Sequence, residues 1–140
     1  MRLRGSVRQW RINDFKESEK MKIKELSQRL TDRNEPLRVH LIGVAGSGMS
    51  GLALLLIGMG HRVSGCDRVT SRETERMQGM GLTFSSPHNE ESIVDADMVV
   101  YSSAIRAENV ALAGARKRGI NCILRAECLA AILGTKKGIV

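Results

Sequence analysis

The stretch Val39-His40-Leu41-Ile42-Gly43-Val44-Ala45-Gly46-Ser47-Gly48-Met49-Ser50-Gly51-Leu52-Ala53-Leu54-Leu55-Leu56-Ile57 sets the fold. An apolar run, a glycine-rich turn and a second apolar run read as strand, phosphate loop and helix. Glycines lack a Cβ, so the backbone turns tightly and approaches a ligand closely. The first N–H groups of the helix, which have no intrahelical acceptor, then point at whatever anion sits there. Within the turn, Gly46-x-Gly48-x-x-Gly51 fits the dinucleotide-binding pattern. Many glycine-rich loops fit that pattern by chance. The flanking strand and helix are what make a diphosphate the expected guest.

The same punctuation continues downstream. The helix is expected to stop at Gly58-Met59-Gly60, before a strand from His61 to Cys66 that closes on Asp67. Arg72 to Gln78 reads as a helix, ending at Gly79 to Gly81 before a strand from Leu82 to Phe84. A short helix near Asn89 to Val94 precedes the strongly apolar strand Met98-Val99-Val100-Tyr101. Then come a helix from Ala107 to Arg118, a strand from Ile120 to Leu124, a helix from Ala126 to Leu133, and Gly138-Ile139-Val140 as a strand just begun. Strand and helix in alternation with short connections predict an α/β fold: a Rossmann-like, doubly wound parallel sheet with right-handed crossovers and helices on both faces. Ligands of such sheets bind outside the carboxyl ends of the strands. Three loops are therefore candidates, at residues 45–50, 67–71 and 102–106.

Upstream, residues 1–12 show no periodicity, and Asn13-Asp14 reads as a helix cap. Phe15, Met21, Ile23, Leu26 and Leu30 then share the helix with Lys20, Lys22, Lys24, Glu25, Gln28 and Arg29, an amphipathic helix of about four turns. Thr31 to Pro36 reads as a linker. The chain divides into a basic extension with this helix, residues 1–37, and the Rossmann-like domain, residues 38–140.

The 140 residues carry a formal charge of +7 with 42% hydrophobic content and only one Trp, one Tyr and two Phe, which implies an aliphatic core. Residues 1–38 hold 11 Lys/Arg against 6 acidic residues, so most of the excess charge lies there. Its bases alternate with acids and have no aromatic interleaving beyond Trp10 and Phe15, which argues for a solvated extension and against nucleic acid as a partner. The longest apolar run, Leu52 to Ile57, is far shorter than the roughly 20 residues of a membrane span, and Met1-Arg2-Leu3-Arg4 leads into no signal-peptide core. A cytoplasmic protein without a membrane partner is the expectation. Cys66, Cys122 and Cys128 form no C-x-x-C and lie near no histidine pair, so reduced thiols are expected, with neither disulfides nor a metal site.

Asp67 lies 21 residues after Gly46, at the end of the second strand, where Rossmann domains place an acid against a ribose hydroxyl; capping of the following helix is the plainer role. Ser102-Ser103-Ala104-Ile105 brings two small hydroxyls to the sheet's carboxyl edge, where they either line a ligand pocket or form an ordinary serine turn. Arg106 and Arg125 offer charge to a phosphate or carboxylate, or a surface salt bridge, and His88 is a lone loop histidine. No Ser/His/Asp arrangement, H-E-x-x-H or G-x-x-x-x-G-K-[ST] motif is present, and no residue is assigned a catalytic role.

His40 to Ala53, Val63-Ser64-Gly65-Cys66-Asp67, Val99 to Ile105 and Arg125-Ala126-Glu127-Cys128-Leu129, in this order and spacing, resemble the N-terminal domain of the UDP-N-acetylmuramate:L-alanine ligases, a branch of the Mur ligase family. The resemblance covers about residues 38 to 140. It implies a peptidoglycan-building enzyme of three domains, in which the first holds UDP-N-acetylmuramate, a central ATPase domain follows, and a C-terminal domain assists the amino acid. By resemblance, ATP and magnesium turn the muramoyl carboxylate into an acyl phosphate, and the amine of L-alanine attacks it to give a tetrahedral intermediate that loses phosphate. The resemblance matches only the first domain, and the family's Gly-Lys-Thr ATP loop would fall after Val140, so the 140 residues alone are expected to bind substrate without ligating it and to carry no cofactor of their own.

Carried over position by position, Gly46, Ser47, Gly48, Met49 and Ser50 would present N–H groups to the diphosphate, and Asp67 would engage the uridine. Ser102, Ser103, Ala104 and Ile105 would line the pocket, with His88 and Arg106 nearby; Arg125 matches a motif position, with a structural role through Glu127 as the alternative. Ala45 stands where the family usually has glycine and Cys66 where it usually has serine, while the first 37 residues lie outside the resemblance. Two readings compete: a NAD-binding domain of an oxidoreductase or sensor, and an interaction module that self-associates or binds a partner through the helix of residues 14–30.

Overall fold

The structure, a computed structural model, describes residues 17–32, 34–46 and 48–134. Its element order is α1 (Glu17–Thr31), β1 (Arg38–Ile42), α2 (Met49–Gly58), β2 (Arg62–Cys66), α3 (Arg72–Gly79), β3 (Thr83–Ser85), a 3-10 turn (Glu91–Ile93), β4 (Met98–Tyr101), α4 (Val110–Lys117), β5 (Asn121–Leu124) and α5 (Arg125–Leu133). The five strands form one sheet in the order β3-β2-β1-β4-β5. Every pairing is parallel, with Ile42 opposite both Cys66 and Tyr101. The expected doubly wound α/β class is therefore observed.

The winding follows from which faces are apolar. Leu30, Leu41, Leu56, Met77, Met98 and Ile132 bring α1, α2, α3 and α5 together on one face. Ile42, Ile93, Val99, Leu112 and Ala115 bury the 3-10 turn and α4 on the other. The chain moves one way from β1 through β2 to β3 and the other way from β1 through β4 to β5. The order reverses between β1 and β4, and their carboxyl ends open the crevice in which doubly wound sheets hold ligands.

Several boundaries move for local reasons. The helix expected over residues 107–118 starts at Val110, because Asn109 Oδ1 accepts from the N–H groups of Ala111 and Leu112 at 2.9 and 3.2 Å and fixes the cap there. The expected helix at residues 89–94 is a single three-residue 3-10 turn. Ser71, whose hydroxyl accepts from the Thr74 N–H while Thr74 Oγ1 accepts from the Ser71 N–H, caps α3 with a capping box. The expected cap at Asn13-Asp14 and the strand at Gly138 to Val140 lie outside the described residues.

On α1, Ile23, Leu26 and Leu30 are buried in the same core as Ala131 and Ile132 of α5. A buried histidine ties this helix to the sheet. The Leu37 N–H donates to His61 Nδ1 at 3.0 Å, so the ring proton sits on Nε2, which donates to the Leu30 carbonyl at 2.7 Å. His61→Ala strands a buried donor and a buried acceptor together, and urea unfolding is expected to show a loss of about 3 kcal/mol. Among the described residues no helix is long and apolar enough to cross a membrane. The three cysteines are free.

Candidate functional site

The loop after β1 is built by two left-handed glycines. Gly43 at φ 80° turns the chain off the strand, and Gly48 at φ 83° turns it into α2 as the N-cap. A Cβ in this backbone region costs roughly 1–2 kcal/mol, so the sequence needs glycine at these two positions. Inside the loop most donors are already used. The Gly46 N–H donates to the Gly43 carbonyl at 2.9 Å, and those of Met49 and Ser50 donate to the Gly46 carbonyl at 3.0 and 3.3 Å. The Gly48 N–H has no acceptor among the described residues. Ser47 lies outside them.

The neighbouring strand ends close around this loop. Asp67 does not cap α3, since Ser71 does so. Its Oδ2 accepts from the Ala45 N–H at 2.9 Å, and its Oδ1 from the Arg68 N–H at 2.8 Å. From β4, Ile105 reaches across to Gly43, where an added Cβ would lie 3.3 Å from Ile105 Cδ1. Ser102 forms a turn in which its Oγ accepts from the Ala104 N–H at 3.3 Å and its carbonyl from the Ile105 N–H at 3.0 Å. The segment is thus a serine turn in which Ser103 and Ala104 are exposed. Arg106 follows, exposed and without an ion pair among the described residues.

Arg125 lies at the first turn of α5. An ideal Cβ on Gly48 would lie 3.3 Å from its Nη1, so the guanidinium rests against the glycine-rich loop. It makes no hydrogen bond or ion pair among the described residues. Glu127, the suggested partner, is engaged elsewhere, with its Oε1 accepting from the Leu124 N–H at 2.8 Å to close the start of α5. The half-buried guanidinium thus lies beside a backbone N–H that also has no partner among the described residues.

His88 meets the end of β2. Cys66 Sγ lies 3.0 Å from His88 Nδ1. Burial pushes the Cys66 thiol up to about 12 and holds His88 below the ordinary imidazole range, with Asp67 partly opposing the latter. The thiol therefore stays protonated, and the pair is a packed hydrogen-bonded contact without nucleophilic character. Among the described residues no group of three His, Cys, Asp or Glu side chains could hold a metal ion. A cleft of about 360 Å³ lies between α1 and β5 and reaches Tyr101 at the end of β4, and one of about 420 Å³ lies at the amino ends of β1 and β2.

The family model described as "Mur ligase family, catalytic domain" matches residues 38–137. The chain belongs to the Mur ligase family. Among curated relatives of this Mur ligase chain is UDP-N-acetylmuramate--L-alanine ligase of Pelotomaculum thermopropionicum, 46% identical over 101 residues, which are 72% of this chain and 22% of the relative. The enzyme of that name from Solidesulfovibrio magneticus is 41% identical over 107 residues, 76% of this chain and 23% of the relative. The chain thus spans less than a quarter of the length of either relative. Among solved structures, UDP-N-acetylmuramate-alanine ligase MurC of Thermotoga maritima superposes with a TM-score of 0.69 at 26% identity, over 72% of this chain and 24% of that one. Dipicolinate synthase A chain of Bacillus subtilis, with a TM-score of 0.52 at 17% identity over 84% of this chain and 51% of that one, shares the fold alone.

Proposed function

We propose that this Mur ligase chain is the UDP-N-acetylmuramate-holding domain of an ATP-dependent ligase that adds L-alanine to that substrate in peptidoglycan assembly. The observation that carries the reading is the pairing, at the β1–β4 crevice, of the Arg125 guanidinium with the Gly48 N–H, both without a partner among the described residues. Together they offer a diphosphate a delocalised cation and a backbone donor at the positive end of α2. The exposed turn at Ser103 and Ala104, with Arg106, supplies the opposite wall for the nucleoside or sugar. The 40–46% identity to curated L-alanine ligases supports the choice of substrate.

ATP and magnesium belong to the proposed full-length reaction. The described residues offer no cluster of metal donors for them, so no step of phosphoryl transfer is assigned to this chain. Its contribution is to bind and orient the uridine diphosphate.

Calorimetric titration with UDP-N-acetylmuramate and with UDP is expected to give saturable binding of both. Arg125→Gln, which removes a charge-assisted contact, is expected to weaken both by roughly tenfold or more. Absence of binding at millimolar ligand overturns the proposal, and saturable NAD binding without UDP binding would assign the crevice to a dinucleotide.

A further inference from the structure

Three consecutive residues at the end of β2 hold three consecutive residues of the phosphate loop. The Cys66 carbonyl accepts from the N–H groups of Gly43 and Val44 at 2.8 and 3.1 Å. Gly65 leaves room for the buried Val44 side chain, whose Cβ would lie 2.7 Å from a Cβ added there. Asp67 Oδ2 accepts from the Ala45 N–H at 2.9 Å.

We infer that Gly65-Cys66-Asp67 is a template for the loop, and that Asp67 is a positioning residue which acts on the ligand through the Ala45 N–H. One carboxylate oxygen is engaged by the loop and the other by the Arg68 N–H. The acid at this strand end therefore holds Rossmann geometry from within. The second half of the inference, that the held loop is the anion-binding conformation, rests on the diphosphate reading above.

Electrostatics makes the two possible roles separable by sign. A carboxylate beside an anion site opposes anion binding through space. Removing a mere neighbour would leave pyrophosphate binding unchanged or tighter, whereas removing a clamp weakens it. Pyrophosphate has no ribose, so a direct ribose contact cannot contribute.

The test uses the whole 140-residue chain, ¹⁵N-labelled, as wild type, Asp67→Ala and Asp67→Asn. Without ligand, Asp67→Ala is expected to speed exchange of the Ala45 amide by about tenfold or more. Pyrophosphate affinity is expected to fall by about fivefold. Asp67→Asn keeps an acceptor oxygen and is expected to restore the slow exchange, with pyrophosphate binding at least as tight as wild type. Unchanged Ala45 exchange in Asp67→Ala overturns the clamp, as does pyrophosphate binding that is unchanged or tighter while UDP binding falls. If the wild type binds neither pyrophosphate nor UDP, the diphosphate reading fails, and the exchange arm by itself decides whether Asp67 holds the loop.

Discussion

Gly65→Ala is expected to lower the melting temperature by roughly 5 to 10 °C and to abolish calorimetric binding of UDP at sub-millimolar protein. The added methyl would sit 2.7 Å from Val44 Cβ, and also under 3 Å from both Val44 γ-carbons. Real Cβ atoms do not come so close. Val44 is fully buried and β-branched, so its side chain has no free rotamer into which to retreat. The strand cannot shift either, since Leu41 faces Gly65 across the β1–β2 pairing and Phe84 flanks it on β3. The loop has to yield, at a cost of about 2 kcal/mol in overpacking, and its N–H groups lose their alignment. Gly51→Ala is the control: apart from its chain neighbours and the adjoining backbone of α2, no atom lies within 4 Å of a Cβ built there. A Gly65→Ala protein that melts and binds like wild type would show that Val44 does not couple β2 to the site.

Stability is expected to fall by about 3 kcal/mol as the pH drops from 7 to below 4, with about 2 kcal/mol of that lost by pH 5. The group responsible is His40, fully buried in β1. The Ser92 hydroxyl donates to the Asn89 carbonyl at 2.9 Å, so it can only accept from His40 Nε2, 3.4 Å away. That leaves Nδ1 as the acceptor for the Ser64 hydroxyl at 2.7 Å, and the ring is held neutral. Burial, with a smaller contribution from His88, lowers its pKa from 6.5 to about 4. The sign follows. Between these two values the unfolded chain takes up a proton that the folded chain refuses, so stability is lost as the pH falls from 6.5 and levels off below 4. His88, also held low by burial, acts in the same direction. Urea unfolding at pH 7 and pH 5 measures the drop, and His40→Phe, which cannot titrate, is expected to show about 2 kcal/mol less of it. An equal drop in that variant would place the titration elsewhere.

Legibility differed between fold and site for physical reasons. Apolar periodicity and glycine punctuation are local properties, so the strands, the doubly wound class and the glycine-rich turn between β1 and α2 could all be read along the chain. Asn109 moved the start of α4 by three residues, because a side-chain cap competes with helix propensity at a level that composition does not show. The buried side of α1 could be read as amphipathic, but not what covers it; His61, 31 residues from Leu30, supplies that answer.

Residues adjacent along the backbone were enough to establish an α/β chain of the Mur ligase pattern with a glycine-rich loop at Gly43 to Gly51, because each of those features is a local pattern. What the polar groups around that loop do emerged only once the strands were laid side by side. The Asp67 carboxylate meets the Ala45 N–H, His88 Nδ1 meets Cys66 Sγ, and Arg125 lies beside Gly48 from the far end of the chain. Hydrogen bonds and charges act over a few ångströms in space, and a sheet ordered β3-β2-β1-β4-β5 brings together strand ends that lie some 20 to 80 residues apart in sequence.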